Sequence, residues 1–223
     1  MLSIMTLLTA MTLQATAIPA RCCPVVELRQ YRLHPHKLDG FIPLFEREFI
    51  ETQEAVGISV IGHFRDQDDP DRFVWLRGFP DMPARAEALQ AFYGGPVWKA
   101  HREEANANFV DTDNVLLLRP LAATWGFAPA KQERPSIGAR SPAKGMVVAT
   151  IYNFNEPVSD DFHEFFQRMI VPELRNAGFS VAAALESESS PNTFPRLPVR
   201  EGENIFLWIA AFSLPDDYAA ALG

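Results

Sequence analysis

The spacing of hydrophobic and polar residues divides the first half of the chain into stretches of period two and stretches of helical period. Residues 25–33, 58–65 and 72–79 alternate in character, which predicts three strands. The turn-rich DQDDPD joins the second strand to the third. NVLLLRP, which begins at Asn114, predicts a fourth strand.

A first helix is predicted between the first two strands, from about Lys37 to Val56, with Gly57 as its stop. Its apolar residues recur at helical spacing: Leu38, Phe41, Phe45 and Phe49. Pro43 lies inside this stretch, so we expect a late start or a kink there.

A second helix follows the third strand and starts at Asp81, a favourable N-cap. Gly94-Gly95 interrupts it, and Pro96 opens a new helical segment at the position where proline is best tolerated. We interpret the break mainly as a bend around the sheet edge. The order strand, helix, strand, strand, helix, strand is that of a ferredoxin-like unit.

Much of this pattern recurs later in the chain. VVELRQYRLHP is matched by VVATIYNFNEP, GISVIGHF by GFSVAAAL, and RFVWLRGF by IFLWIAAF. We therefore predict an α+β fold of two tandem ferredoxin-like units: a first unit over residues 24–120, a linker over 121–144, and a second unit over 145–223. The second unit lacks counterparts of GGPVWKAH and NVLLLRP, which leaves the edge of its first strand unpaired. Either a partner covers that edge or the product is shortened.

The net charge of −8 argues against a nucleic-acid partner, because binding phosphates requires a basic face. No stretch has the roughly 18 apolar residues of a membrane span. Residues 1–23 are predicted to be a disordered leader. Ala15-Thr16-Ala17 resembles a signal cleavage site, but no Lys or Arg precedes Arg21, so we predict a cytoplasmic protein, with export as the alternative. Cys22 and Cys23 are adjacent and poorly placed to bridge each other, which fits a reducing compartment or a surface pair.

Strand alternation places two sets of side chains on opposite faces of the first sheet. We assign one set to the helices because it is apolar or small: Val26, Leu28, Val60, Gly62, Phe64, Val74, Leu76 and Gly78. The other set mixes charges with aromatic rings: Glu27, Arg29, Tyr31, Ile61, His63, Arg65, Phe73, Trp75, Arg77 and Phe79. The second unit carries uncharged residues at the positions we align with Glu27, Arg29, Tyr31, His63 and Arg77: Ala149, Ile151, Asn153, Ala184 and Ala210. Two such sheets facing each other predict a cavity with one polar wall and one apolar wall.

The mixed face supplies the candidate site. His63 is the candidate general base near neutral pH. The predicted substrate-binding residues are Glu27, Arg29, Tyr31, Trp75 and Arg77. The two arginines would hold a carboxylate or enolate oxygen. The alternative is that the charges, Glu27 with Arg77 for example, pair across the sheet and serve structure alone.

Trp98 and His101, after the helix break, are second-ranked candidates. The broken helix could receive an anion at its new N-terminus, although Pro96 removes one donor. Neither a metal-ligand spacing nor a cofactor-binding motif occurs, so no metal and no cofactor are predicted.

Together, the runs ELRQY, DPDRFVWLRGFPDM, AFYGGPVWKAH and DNVLLLRP resemble the NIPSNAP family over residues 25–120, whereas residues 145–223 match it weakly. The resemblance implies the dimeric α+β barrel superfamily, in which two ferredoxin-like units pack sheet to sheet, here within one chain or between two. That superfamily includes cofactor-free monooxygenases and isomerases, but the resemblance transfers no catalytic set.

Two hypotheses therefore stand. One is a protein that binds a small aromatic or carboxylate-bearing molecule and acts as an enzyme of the cofactor-free oxygenase or isomerase type. The other is a non-catalytic assembly or interaction module.

Overall fold

A computed structural model describes residues 22–128, 134 and 145–223 of the chain. Its strands are β1 (Val25–Leu33), β2 (Ser59–Arg65), β3 (Arg72–Phe79), β4 (Phe109–Asp111), β5 (Val115–Pro120), β6 (Met146–Phe154), β7 (Val181–Ser187) and β8 (Asn204–Phe212). Its α-helices are α1 (Leu38–Leu44), α2 (Ile50–Glu54), α3 (Met82–Gly94), α4 (Pro96–Asn106), α5 (Asp160–Phe165), α6 (Val171–Asn176) and α7 (Pro215–Leu222).

The predicted first helix is divided by a π-helical turn. A π segment, Phe45–Phe49, joins α1 to α2, and Pro43 lies inside α1 just before it. The second unit has the same arrangement, with a π segment at Phe166–Ile170 between α5 and α6. The irregularity expected near Pro43 is therefore present as a widened turn, whereas the late start is wrong because α1 begins at Leu38.

The predicted break in the second helix is confirmed. Gly95 has an extended backbone (φ −76°, ψ 165°) between α3 and α4, and Pro96 is the first residue of α4. The predicted N-cap is also confirmed, because the Asp81 side chain accepts a hydrogen bond from the Ala84 amide at 2.7 Å.

All the strands belong to one antiparallel sheet, in the order β2-β3-β1-β5-β7-β8-β6, with β4 paired to the end of β1. The first unit contributes β2, β3, β1 and β5, which is the ferredoxin-like arrangement, and β5 pairs with β7 to join the two units edge to edge. The predicted α+β fold with ferredoxin-like units is confirmed. Within the described residues, β2 and β6 are the two ends of the sheet.

Most of our assignment of the two faces of the first sheet is reversed; Val60 and Ile61, beside an irregularity in β2, lie on the faces to which we assigned them. Val26, Leu28 and Leu76 pack against side chains of β7 and β8, in a core formed between the two units. The aromatic residues of the mixed set, including Tyr31 and Trp75, instead pack under the helices of the first unit. Alternation defines two sets of side chains, but it does not decide which set the helices cover.

The cysteine pair also differs from expectation. Cys22 and Cys23 form a disulfide, and Cys23 is buried in the core between the units. The predicted leader lies almost wholly outside the described residues, so the leader and the cytoplasmic location stay predictions. The predicted linker begins as packed chain, because Leu121 is buried in the core of the second unit. None of the helices in the described part of the chain is long and apolar enough to cross a bilayer.

Candidate functional site

Four charged side chains meet beneath the helices of the first unit. Glu27 is at the centre: Oε2 accepts hydrogen bonds from Arg29 Nη1 at 2.5 Å and Arg77 Nε at 2.8 Å, and Oε1 accepts one from Arg85 Nε at 2.6 Å. All four residues are at most 1% exposed. The structure therefore brings three predicted site residues together. It also contains the Glu27–Arg77 pair that we expected if these charges serve structure alone. It adds Arg85, which the sequence analysis missed.

The strand register and one helix position these groups. Glu27 lies opposite Arg77 in the β1–β3 ladder, so both side chains lie on the same face of the sheet. Arg85 reaches the carboxylate from α3, where it shares the buried face with Ala88, Leu89 and Phe92. Arg85 could have been predicted from the sequence, because it is a charged residue at a position where the helical pattern is otherwise apolar.

The cluster carries three guanidinium groups and one carboxylate. Burial alone would raise the pKa of Glu27, but Arg77, Arg29 and Arg85 outweigh it and hold that pKa well below its ordinary range. Glu27 is therefore ionised at neutral pH. Three positive charges against one negative charge leave a formal excess of two positive charges in a place without solvent.

An aromatic cavity of about 90 Å³ adjoins this cluster, between the sheet and the helices. Its aromatic wall consists of Tyr31, Phe41, Phe45, Phe49, Trp75, Phe92, Tyr93, Trp98 and Phe109. Gln53 adds a polar group that accepts from Arg77 at 3.1 Å. Two predicted site residues, Tyr31 and Trp75, thus separate the cavity from the arginines: Arg77 lies 5.0 Å from the Trp75 ring centroid and Arg29 lies 5.2 Å from that of Tyr31.

The second unit covers one side of this site with the segment between β7 and β8, residues 188–203. Arg85 Nη1 donates to Asn192 Oδ1 at 3.0 Å and to Thr193 Oγ1 at 3.1 Å. Phe194 stacks on Tyr93 with ring centroids 5.9 Å apart, and Leu197 lines the cavity. The role of this segment could not be predicted from the sequence, because its contacts with the first unit join residues more than a hundred positions apart.

His63 lies apart from the charged cluster. Its Nε2 is 3.1 Å from Glu46 Oε1, and its ring packs near Phe45 and Phe73. It is not among the cavity-lining residues. Burial lowers the pKa of His63, and the nearby Glu46 carboxylate opposes that effect only in part. The predicted constellation of His63 with Glu27, Arg29 and Arg77 is therefore not assembled.

The two second-ranked candidates, Trp98 and His101, do not lie at the same place. Trp98 lines the cavity and packs against Tyr93 with centroids 4.9 Å apart. His101, one turn later on α4, instead points its ring nitrogens at Glu48 (3.4 Å) and Glu104 (3.6 Å). Of the pair, only Trp98 belongs to the site.

The second unit has no such charged cluster at the corresponding positions. Its ladder pairs Val148 with Ala210 and Thr150 with Trp208. Our alignment of β6 was therefore wrong by one residue: Val148, not Ala149, corresponds to Glu27. Because a shift of one residue moves a side chain to the other face, Ala149 and Ile151 lie on the sheet face that carries Ile209 and Leu207, and both are exposed there. The contrast between a charged first unit and an uncharged second unit nevertheless holds.

The first unit is similar to known proteins. Residues 26–124 match the model of the NIPSNAP family. The predicted NIPSNAP resemblance is confirmed for this segment. A NIPSNAP domain protein of Burkholderia xenovorans is 20% identical and covers 48% of this chain and 99% of its own, with a TM-score of 0.41. A NIPSNAP-like domain protein of the same organism is 26% identical over 50% of this chain and 89% of its own, with a TM-score of 0.39. No curated protein matches the chain.

A longer match extends beyond the NIPSNAP segment. A protein of Lactobacillus acidophilus, provisionally named a monooxygenase, covers 90% of this chain and 81% of its own, with 13% identity and a TM-score of 0.53. At this identity the likeness concerns the fold alone. It spans both units.

Proposed function

We propose that the first unit binds a small aromatic molecule in the cavity under its helices. The observation that carries this proposal is the cavity itself, about 90 Å³ of space that is walled by aromatic rings and reaches from the exposed Asn106 into the core of the first unit. Protein interiors are otherwise packed about as densely as organic crystals, so such a space is unusual in a core built only for stability. Aromatic walls with a few polar groups are typical of small-molecule sites.

The position of the cavity supports binding between the helices and the sheet of the first unit rather than between the two units. The face between the units is filled by Val26, Leu28 and Leu76 against apolar residues of β7 and β8. The cavity is smaller than the roughly 150 Å³ apolar cavity that holds benzene. It opens to solvent beside the exposed Asn106, so a six-membered ring can enter on that side and need not be wholly enclosed.

Catalysis of the cofactor-free oxygenase or isomerase type is the further part of this proposal. It would use Tyr31, which lines the cavity, as the group that contacts a substrate oxygen. His63 is a poor candidate for the base because its ring contacts Glu46 and lies outside the cavity lining. Binding is therefore the step to test first.

A cavity-filling substitution tests the binding site. Ala105 is 1% exposed and lines the cavity from α4, so Ala105→Leu places three extra carbon atoms in that space. Ala100→Leu, at an exposed position of the same helix, is the matched control. We expect one-ring aromatic compounds to bind the wild type and Ala100→Leu, as detected by ligand NMR, and to lose binding in folded Ala105→Leu. Equal binding by all three proteins, or no binding to the wild type, would overturn the proposal.

One observation favours the alternative, assembly with a second copy of this chain. β6 is a sheet end, and it exposes Val147 (39%), Ile151 (36%) and Tyr152 (45%). An unpaired apolar edge favours pairing with another strand. Light scattering after size exclusion tests it: Ile151→Lys should convert a dimer to a monomer, and a wild type that is monomeric at high concentration would rule the alternative out.

A further inference from the structure

The unpaired buried polar atoms of the first unit are concentrated at one place. Within the described residues, three buried side-chain polar atoms have no hydrogen-bond partner: Trp75 Nε1, Arg77 Nη2 and Arg85 Nη2. All three are donors, and all belong to the charged cluster or to the wall between it and the cavity. Buried polar groups are nearly always hydrogen-bonded, so three orphaned donors together call for an acceptor.

Trp75 is one of the residues with an unpaired donor, and it also lines the cavity. It is 3% exposed, it lines the cavity, and its indole N–H has no acceptor in the protein. Arg77 lies against its ring face at 5.0 Å from the centroid. A group that accepts from the indole would therefore also be attracted by a buried positive charge.

Tyr31 supplies a second donor beside Trp75. Its hydroxyl oxygen accepts from Arg29 Nε at 2.6 Å, which leaves the hydroxyl proton available for another acceptor. Burial raises the pKa of Tyr31, against the opposing effect of Arg29, so the phenol stays protonated at neutral pH. The two rings meet edge to face with centroids 6.0 Å apart. The hydrogen bond from Arg29 to the hydroxyl oxygen polarises the O–H bond of Tyr31.

We infer that the aromatic molecule is held through an anionic oxygen, such as a carboxylate, enolate or phenolate, which accepts hydrogen bonds from the Trp75 indole and the Tyr31 hydroxyl. This inference rests on the proposed function, since it names the chemical class that the cavity takes. The excess of two positive charges favours an anion over a neutral acceptor, because Arg29 lies 5.2 Å from the Tyr31 ring centroid, Arg77 lies 5.0 Å from the Trp75 ring centroid, and both guanidinium groups are shielded from solvent. The neutral carboxamide of Gln53 leaves that excess uncompensated.

The test compares benzoate with benzyl alcohol, which has a similar size and no charge. Affinities are measured at neutral pH by titration followed through the indole ¹H–¹⁵N signals of the four tryptophans, with Trp75 assigned from Trp75→Phe. We expect benzoate to bind at least about tenfold more tightly than benzyl alcohol and to shift the Trp75 signal, as a hydrogen bond to a charged group implies. Trp75→Phe and Tyr31→Phe, which keep the aromatic walls, should each weaken benzoate about tenfold and benzyl alcohol much less.

The outcomes separate this inference from the proposed function. If the two compounds bind equally and Trp75→Phe changes neither affinity, the anionic anchor is wrong although the cavity is a binding site. If benzoate binds but leaves the Trp75 signal unchanged, the indole does not hold the anion and the inference fails. If benzoate binds Ala105→Leu as well as it binds the wild type, the cavity is not the site, and both the inference and the proposed function are overturned.

Discussion

Removing the single carboxylate of the charged cluster should destabilise the protein more than removing any one of its arginines. Glu27→Gln keeps the size of the side chain but leaves three fully buried guanidinium groups without a counter-charge. Breaking a buried ion pair by removing one partner costs about 3–5 kcal/mol, because the remaining charge is uncompensated. Here three charges lose their partner, so the cost should reach at least that range. Against a typical total stability of about 5–15 kcal/mol, this is about a fifth or more.

Urea unfolding, followed by tryptophan fluorescence and far-UV circular dichroism, measures the effect as a shift of the midpoint at constant slope. The matched control is Glu164→Gln, which removes the same charge from an exposed pair with Arg168, where both side chains are about 70% exposed or more. Exposed pairs contribute roughly 0–1 kcal/mol, so this control should leave the midpoint nearly unchanged.

A second comparison tests the charge imbalance itself. Arg85→Met removes one of the three positive charges but leaves Glu27 paired with Arg29 and Arg77. Its loss of stability should be smaller than that of Glu27→Gln, because it reduces the excess charge instead of increasing it. The reasoning would be refuted if Glu27→Gln unfolded at the same urea concentration as Glu164→Gln, or if Arg85→Met were the more damaging change.

Three further predictions concern single positions. His63→Gln should flatten the pH dependence of stability. Because the pKa of His63 is lower in the folded than in the unfolded protein, this residue stabilises the wild type above about pH 6.5, and the contribution is lost as the pH falls. The prediction is contradicted if the free energy of unfolding in urea changes equally in both proteins between pH 7 and 5. Gly78→Ala should lower the free energy of unfolding by about 1–3 kcal/mol, and with it the melting temperature, because the added Cβ would overlap the Cys23 side chain. Gly40→Ala is the control: this glycine lies in a helix with open space around it, so the substitution should raise the free energy of unfolding by about 0.5–1 kcal/mol. Asp81→Ala should cost about 1 kcal/mol through the lost cap of α3, and an unchanged urea midpoint would show that the cap does not stabilise the helix.

Local chemistry made several features predictable. Gly95 and Pro96 carry their own backbone preferences, so the break between α3 and α4 follows from the sequence, as does the Asp81 cap. The irregular first helix was anticipated at Pro43, although its form, a π-helical turn, was not. The ferredoxin-like order of elements follows from the hydrophobic period for the same reason: each period depends on near neighbours in the chain.

Long-range packing decided the site. Alternation identified Glu27, Arg29, Tyr31, Trp75 and Arg77 as one face, and the structure does bring them together. The same alternation could not say which layer covers that face, and our assignment was reversed. The alignment of β6 also failed, because a shift of a single residue exchanges the two faces while leaving the hydrophobic pattern almost unchanged.

The sequence by itself therefore determined the elements, their order and the unusual chemistry of one sheet face. Only the tertiary structure decided that Arg85 completes the charged cluster and that residues 188–203 of the second unit pack against it. Contacts of that kind depend on how β5 and β7 join the two units into one sheet. No local preference encodes such a pairing, because its free energy comes from burying surfaces that lie far apart along the chain.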